Sequence, residues 1–277
     1  MKHINYMKRM NRLLLMTLPL VLSLPLQAQI KNSPSGLNSR EFSKYWKIES
    51  ESPDFRKIFS GDTLELMAPK GITLWRTEKM DGSVTIEYDA CIVKKTATDR
   101  LSDLNCFWMA SDPLAPNDIM KRSQWRSGIF NRCYSLQTYY LGYGGNNNTT
   151  TRFRKYDGDY VSFEKNQKRP SVLKEYTDAE HLLKANHWYH VKIHNEGNRV
   201  LYYIDGELLV DFRDANPLSM GWFGFRTTES HVRITGFHYS SVNPDFQTVP
   251  LHWIGNVPSA DTPSTWGVPF EKGLVKA

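Results

Sequence analysis

Trp188-Tyr-His-Val-Lys-Ile-His194, Asn195-Glu-Gly-Asn198, Arg199-Val-Leu-Tyr-Tyr-Ile204, Asp205-Gly206 and Leu208-Leu-Val-Asp-Phe212 follow one another in the chain. Tyr189, Val191 and Ile193 fall on one face of the first segment, which is the period of a half-buried strand. Asn195–Asn198 supplies turn residues, and Asp205-Gly206 is a tight hairpin signal. Three antiparallel strands are therefore predicted here. The same grammar runs outward in both directions. Thr63–Met67 follows Gly61-Asp62, Thr73–Arg76 follows Lys70-Gly71, and Ser83–Ile92 follows Asp81-Gly82. In the last of these Val84, Ile86, Tyr88 and Ala90 alternate with Thr85, Glu87 and Asp89. Gly221–Thr227 and His231–Tyr239 close the series, and the only helical signal of note is a turn or two over Asp178–Ala185. Short strands at roughly ten-residue spacing without alternating helices predict an all-β sandwich of two antiparallel sheets, spanning residues 41–240.

The flanks read differently. Lys2, Lys8, Arg9 and Arg12 precede an apolar run from Leu13 to Leu26, and Leu26-Gln27-Ala28-Gln29 offers a small-residue cleavage site. That order predicts a signal peptide over residues 1–29 and a secreted or periplasmic protein with no membrane anchor after cleavage. The apolar run is shorter than the roughly 20 residues a spanning helix needs. Four of the 35 Lys and Arg lie in that leader, which leaves 31 against 29 Asp and Glu, a net of +2. Such a balance gives no case for a nucleic-acid partner. Residues 30–40 are polar and read as a flexible segment. Residues 241–277 carry Pro244, Pro250, Pro258, Pro263 and Pro269, and read as a strap or, with slight preference, the stub of a further domain. Of three cysteines, Cys106 and Cys133 allow one bridge; three small buried hydrophobes are an equal reading.

Trp188–His194, Val200–Gly206, Gly221-Trp-Phe-Gly-Phe-Arg226 and Val232-Arg-Ile-Thr-Gly-Phe237 together resemble the strand series of concanavalin A-like jelly rolls. Gly61-Asp-Thr-Leu-Glu-Leu66 with Thr73-Leu-Trp-Arg76 is similar to the opening strands of that fold. Arg100–Asp112 and Tyr139–Tyr156 more narrowly resemble a family of secreted bacterial domains of unassigned activity found beside polysaccharide-degrading proteins. The resemblance implies a jelly-roll sandwich whose concave sheet face takes glycan. It implies no single chemistry, because lectins, hydrolases and lyases share the fold. It also admits a structural calcium ion, although no cofactor is predicted and no dense run of Asp or Asn marks a site.

Between Arg100 and Tyr156 the predicted strands carry Arg, Asn, Tyr and Trp together. By alternation Asn105, Phe107 and Met109 oppose Cys106 and Trp108; Gln124, Arg126 and Gly128 share a face of the next strand; and Tyr139 opposes Tyr140. Aromatic rings stack on sugar C–H faces, and Arg grips carboxylates bidentately. An acidic polysaccharide is the expected partner. Asn105, Trp108, Gln137, Tyr139, Asn147, Arg152, Arg154, His181 and Arg226 are the candidate binding residues. Each has a plainer role open to it: surface ion pairing for the arginines, core packing for the tryptophan, a simple turn around Asn147. Glucanase-type acid pairs are missing, since Glu87-Tyr-Asp89 has Cys91 where a third acid would stand. A uronate lyase needs a cation against the substrate carboxylate and a group to move the C5 proton. The Tyr139/Tyr140 pair, Tyr140 first, or His231 would move the proton, with Arg126 and Arg226 holding the carboxylate. The eight histidines show no HExxH or Cys/His metal spacing. Three readings stand: an acidic-glycan enzyme, most plausibly a lyase; a non-catalytic glycan-binding module; and a laminin-G-like protein-binding domain.

Overall fold

The computed structural model describes residues 30–242. Its strands are β1 (Ile30–Ser33), β2 (Trp46–Ser50), β3 (Arg56–Ser60), β4 (Thr63–Ala68), β5 (Ile72–Arg76), β6 (Met80–Asp81), β7 (Ser83–Ile92) and β8 (Leu104–Ser111). They continue with β9 (Gln137–Gly144), β10 (Thr150–Asp157), β11 (Val172–Tyr176), β12 (Tyr189–Glu196), β13 (Arg199–Ile204), β14 (Glu207–Arg213), β15 (Met220–Thr227) and β16 (Ser230–Val242). Two antiparallel sheets form. The first runs β14-β13-β12-β7-β16-β4-β3 with β1 on β16, and the second runs β11-β10-β9-β8-β15-β5-β2 with β6 on β15. The β-sandwich expected from the hairpin series is the fold observed. The leader and most of the proline-rich tail lie outside the described residues.

Alternation decides which side chains meet between the sheets. In β7, Val84, Ile86, Tyr88 and Ala90 are buried while Thr85, Glu87 and Asp89 are only partly so. Asp205 and Gly206 adopt φ of 50° and 84°, the positive pair that turns β13 into β14. Trp108, Tyr139, Phe153 and Tyr202 fill one part of the inter-sheet core, and Trp46, Phe223, Phe225 and Phe237 another. Removing such a ring from water contributes roughly 1.5–3 kcal/mol. Trp108 and Tyr139, expected on a sugar face, are therefore core residues. Tyr139 also ties the sheets together, donating to Asp214 Oδ2 at 2.6 Å.

Four local expectations are corrected. Residues 30–40 are anchored: β1 pairs with β16, Leu37 is fully buried, and the Ser35 carbonyl accepts from Trp46 Nε1 at 2.9 Å and Arg76 Nη1 at 2.8 Å. Their polarity serves this bonding. Residues 123–126 form a one-turn helix, so Gln124, Arg126 and Gly128 share no strand face. Met109, with φ of 51°, makes a bulge between Trp108 and Ser111 that turns it into the inter-sheet core, away from Phe107. Gly221 makes room for it, since a Cβ there would lie 2.3 Å from the Met109 carbonyl carbon. Cys106 and Cys133 are free and lie on opposite sides of the second sheet, so no bridge can join them. Burial pushes both thiols up to about 12.

Candidate functional site

The outer face of the second sheet carries five of the twelve candidate residues, and part of it is covered. The connection between β8 and β9, residues 112–136, folds back over the sheet. Ile119, Cys133 and Leu136 from that connection pack with Trp75, Phe107, Tyr140, Tyr156 and Trp222 into a second apolar cluster. Beneath the cover lies Arg126, fully buried. Its guanidinium meets Glu49 (Nη2–Oε1 2.7 Å) and Asp112 (Nη1–Oδ2 3.0 Å), and donates to the Ile119 carbonyl at 2.6 Å. Arg122 reinforces Asp112 at 3.0 Å. Two carboxylates saturate this arginine, which fastens the connection to β2. Fully enclosed, it is out of a substrate's reach.

The other half of the face is a polar row. Register places Glu175, Arg152, Gly142, Asn105, Arg226, Thr73 and Glu49 side by side from β11 across to β2. One step along, Arg154, Tyr140 and Phe107 are neighbours. The Tyr140 ring lies back over Gly142, where a Cβ would meet its hydroxyl at 2.9 Å. A glycine at that point brings the phenol into the row. Phe130 overhangs the row, its ring 5.0 Å from the Arg226 guanidinium and 5.5 Å from the Tyr140 ring.

The polar groups of this half are incompletely satisfied. Arg154 is 4% exposed, yet among the described residues its one hydrogen-bond partner is the Pro170 carbonyl and no carboxylate meets it. Burial pushes its guanidinium below the usual value, and the neighbouring charges of Arg169 and Arg152 push the same way. Arg226 donates to Thr73 Oγ1 and to the Gly128 carbonyl, and its nearest acid is Glu51 at 3.8 Å. Asn105 Oδ1 and the Tyr156 hydroxyl are buried without a partner among the described residues. Burial, and next the charge of Asp103, hold the Tyr140 hydroxyl well above its usual value, so it stays protonated. Arg152 is paired with Glu175 at 2.8 Å and Arg226 has Glu51 at 3.8 Å, so of the three arginines here it is Arg154 that has no acid beside it among the described residues.

A family model matches residues 66–237, which run from β4 to β16, and its description is "Domain of unknown function (DUF6250)". The chain belongs to this family. No curated protein matches the chain in sequence. Among solved structures, the domain is similar to a Bacillus subtilis protein of unknown function with a galectin-like fold, at 17% identity and TM-score 0.58. That match covers 78% of this chain and all of the other. It is also similar to the metal-free Emp46p carbohydrate recognition domain at 9% identity and TM-score 0.50, covering 76% of this chain and 96% of that one. The carbohydrate-binding module CBM66 from Bacillus subtilis aligns at 17% identity and TM-score 0.47, over 71% and 95% of the two chains. The DUF6250 domain therefore has the lectin-type jelly roll that its strand series resembles, a fold shared with carbohydrate-recognition domains.

Of the residues singled out in its sequence, this DUF6250 domain brings together Asn105, Tyr140, Arg152, Arg154 and Arg226. The rest lie elsewhere. His231 sits on the outer face of the first sheet, Nε2 to Glu65 Oε1 at 2.6 Å, with both sheets between it and Tyr140. His181 stacks on Tyr176 with centroids 4.0 Å apart and pairs with Asp178 at 2.6 Å. Asn147 accepts from Arg100 Nε at 2.9 Å, in a loop that Asn148 fixes to Leu183 through two hydrogen bonds. Gln137 is exposed at the start of β9, away from the row. Phe130 and Arg169 escaped notice because each lies in a connection whose docking alternation cannot foresee. Among the described residues no group of three or more His, Cys, Asp or Glu is placed to hold a metal ion.

Proposed function

We propose that this domain binds a carboxylated glycan without cleaving it, at the polar row on the outer face of its second sheet, which Arg152 exposes at the β10–β11 end. The observation that carries the reading is Arg154, a buried arginine with no acid beside it among the described residues and two further arginines close by. A buried charge without a counter-ion is costly, and a bidentate sugar carboxylate would supply one. The Tyr140 hydroxyl over Gly142 is suited to a sugar hydroxyl, and exposed Arg169, with the part of Arg152 that its pair with Glu175 leaves free, would attract a polyanion. The lectin-type fold agrees with this use. Elimination is less well supported. Tyr140 is held protonated, His231 faces the opposite way, and no other His lies on the row among the described residues.

Affinity electrophoresis through gels containing polygalacturonate, alginate or a neutral β-glucan tests this. The reading expects retardation by at least one acidic polymer, weakened by salt and by the double change Arg152→Ala with Arg169→Ala. Equal mobility in every acidic gel would contradict binding. New unsaturated uronate ends in the retarding polymer would contradict the non-catalytic part.

A further inference from the structure

Beside the cationic row lies a hollow that the proposed function does not use. It has a volume of about 320 Å³, between the connection carrying helix Tyr160–Asn166, the ends of β10 and β11, and Phe212 of β14. Pro170 separates the two: its carbonyl accepts from Arg154 on one side, and its ring lines the hollow on the other. Ligand pockets begin at about 300 Å³, so the space suits one or two sugar rings. Tyr134, Leu173, Phe212 and Pro170 make an apolar wall. Tyr134 is half-buried and braced edge-on against Phe130 and Tyr156, so one side of its ring is available for stacking.

The polar lining selects the ligand. Lys155 is already engaged by Asp214 at 2.7 Å and by the Asn216 carbonyl at 2.6 Å. Asp159 caps the helix through Ser162 N at 2.9 Å. Left over are the Lys168 ammonium, the Ser171 hydroxyl, the Tyr134 hydroxyl and the second oxygen of Asp157, whose Oδ1 accepts from Asp159 N. With Lys155 neutralised by Asp214, one lysine faces two aspartates in the hollow, which discriminates against an anionic ligand. A C–H face with several hydroxyls, some to donate and some to accept, satisfies both the wall and the rim.

We infer that this hollow is a second sugar subsite, taking a neutral pyranose residue rather than a uronate. It shares with the proposed function only the premise that the domain binds glycan. The full chain would be titrated with neutral gluco-, galacto-, xylo- and manno-oligosaccharides, and separately with oligogalacturonate, while backbone amide resonances are followed. At least one neutral oligosaccharide is expected to shift amides of residues 134, 155–162 and 168–173, leaving Gly142 and Arg152 unmoved. Lys168→Ala and Asp157→Asn, both at exposed positions, should each weaken that binding about tenfold and leave oligogalacturonate binding intact. If no neutral oligosaccharide binds, or if shifts fall away from the hollow, the inference is overturned. Neutral binding that both variants leave unchanged overturns it as well. None of these outcomes depends on oligogalacturonate binding, whose own failure would count against the cationic row alone.

Discussion

The two halves of one sheet face treat arginine in opposite ways. Under the 112–136 connection, Arg126 is fully enclosed and held by Glu49 and Asp112, so charge is balanced and the group serves folding. On the same face, Arg154 is almost as deeply buried but among the described residues meets only a carbonyl, with Arg152 and Arg169 adding like charge. The contrast teaches how to separate structure from function where composition is the same. A buried cation with its acids supplied is an anchor, and one without them is a candidate receptor for an anion.

The comparison can be broken first at its structural half. Glu49→Ala strips one of the two acids from a buried arginine and should cost about 3–5 kcal/mol in urea unfolding; a loss under about 1 kcal/mol would mean that Arg126 is not an anchor. Next comes the carboxylate that joins the sheets. Burial tends to raise Asp214, but hydrogen bonds from Lys155 and Tyr139 outweigh it and leave it below the ordinary value. Its contribution is therefore present above the usual Asp pKa of about 4 and is lost as pH falls through its lower folded value. Asp214→Asn should remove part of the acid limb of the stability profile and cost about 1 kcal/mol at neutral pH; an unchanged profile would contradict the assignment.

The receptor half predicts the reverse of Glu49→Ala. Arg154→Leu removes a buried charge that has no acid to orphan, so stability should change by less than about 1 kcal/mol or rise. A loss of several kcal/mol would make Arg154 a structural group like Arg126. The smallest effect concerns the thiols. With both pushed up to about 12 by burial, Cys106 and Cys133 should resist alkylation in the native protein and react only on unfolding. Rapid native labelling of Cys133 would mean that the covered half opens readily.

The sequence made the strands legible because their periodicity is local. The alternation of Tyr139 against Tyr140 and of Phe107 against Trp108 is readable, and the two sets do face opposite sides of the second sheet. What lay on top of each side was not. Trp108 and Tyr139 belong to the side that meets the other sheet, and Arg126 to a helix turn docked by long-range contacts. Phase was lost only at Met109, where a positive-φ bulge resets the alternation without a glycine or proline to announce it. Local pattern thus found the row Arg152, Asn105 and Arg226 but could not tell that Arg126 had been claimed by Glu49, 77 residues away.

The most direct test is a calorimetric titration of oligogalacturonate and alginate oligosaccharides into the wild-type protein and Arg154→Leu, with the fold of both verified by thermal melting. Binding of at least one acidic oligosaccharide by the wild type, weakened tenfold or more in a stably folded Arg154→Leu, is the predicted result. Equal affinity in the two proteins would contradict an anion receptor at Arg154.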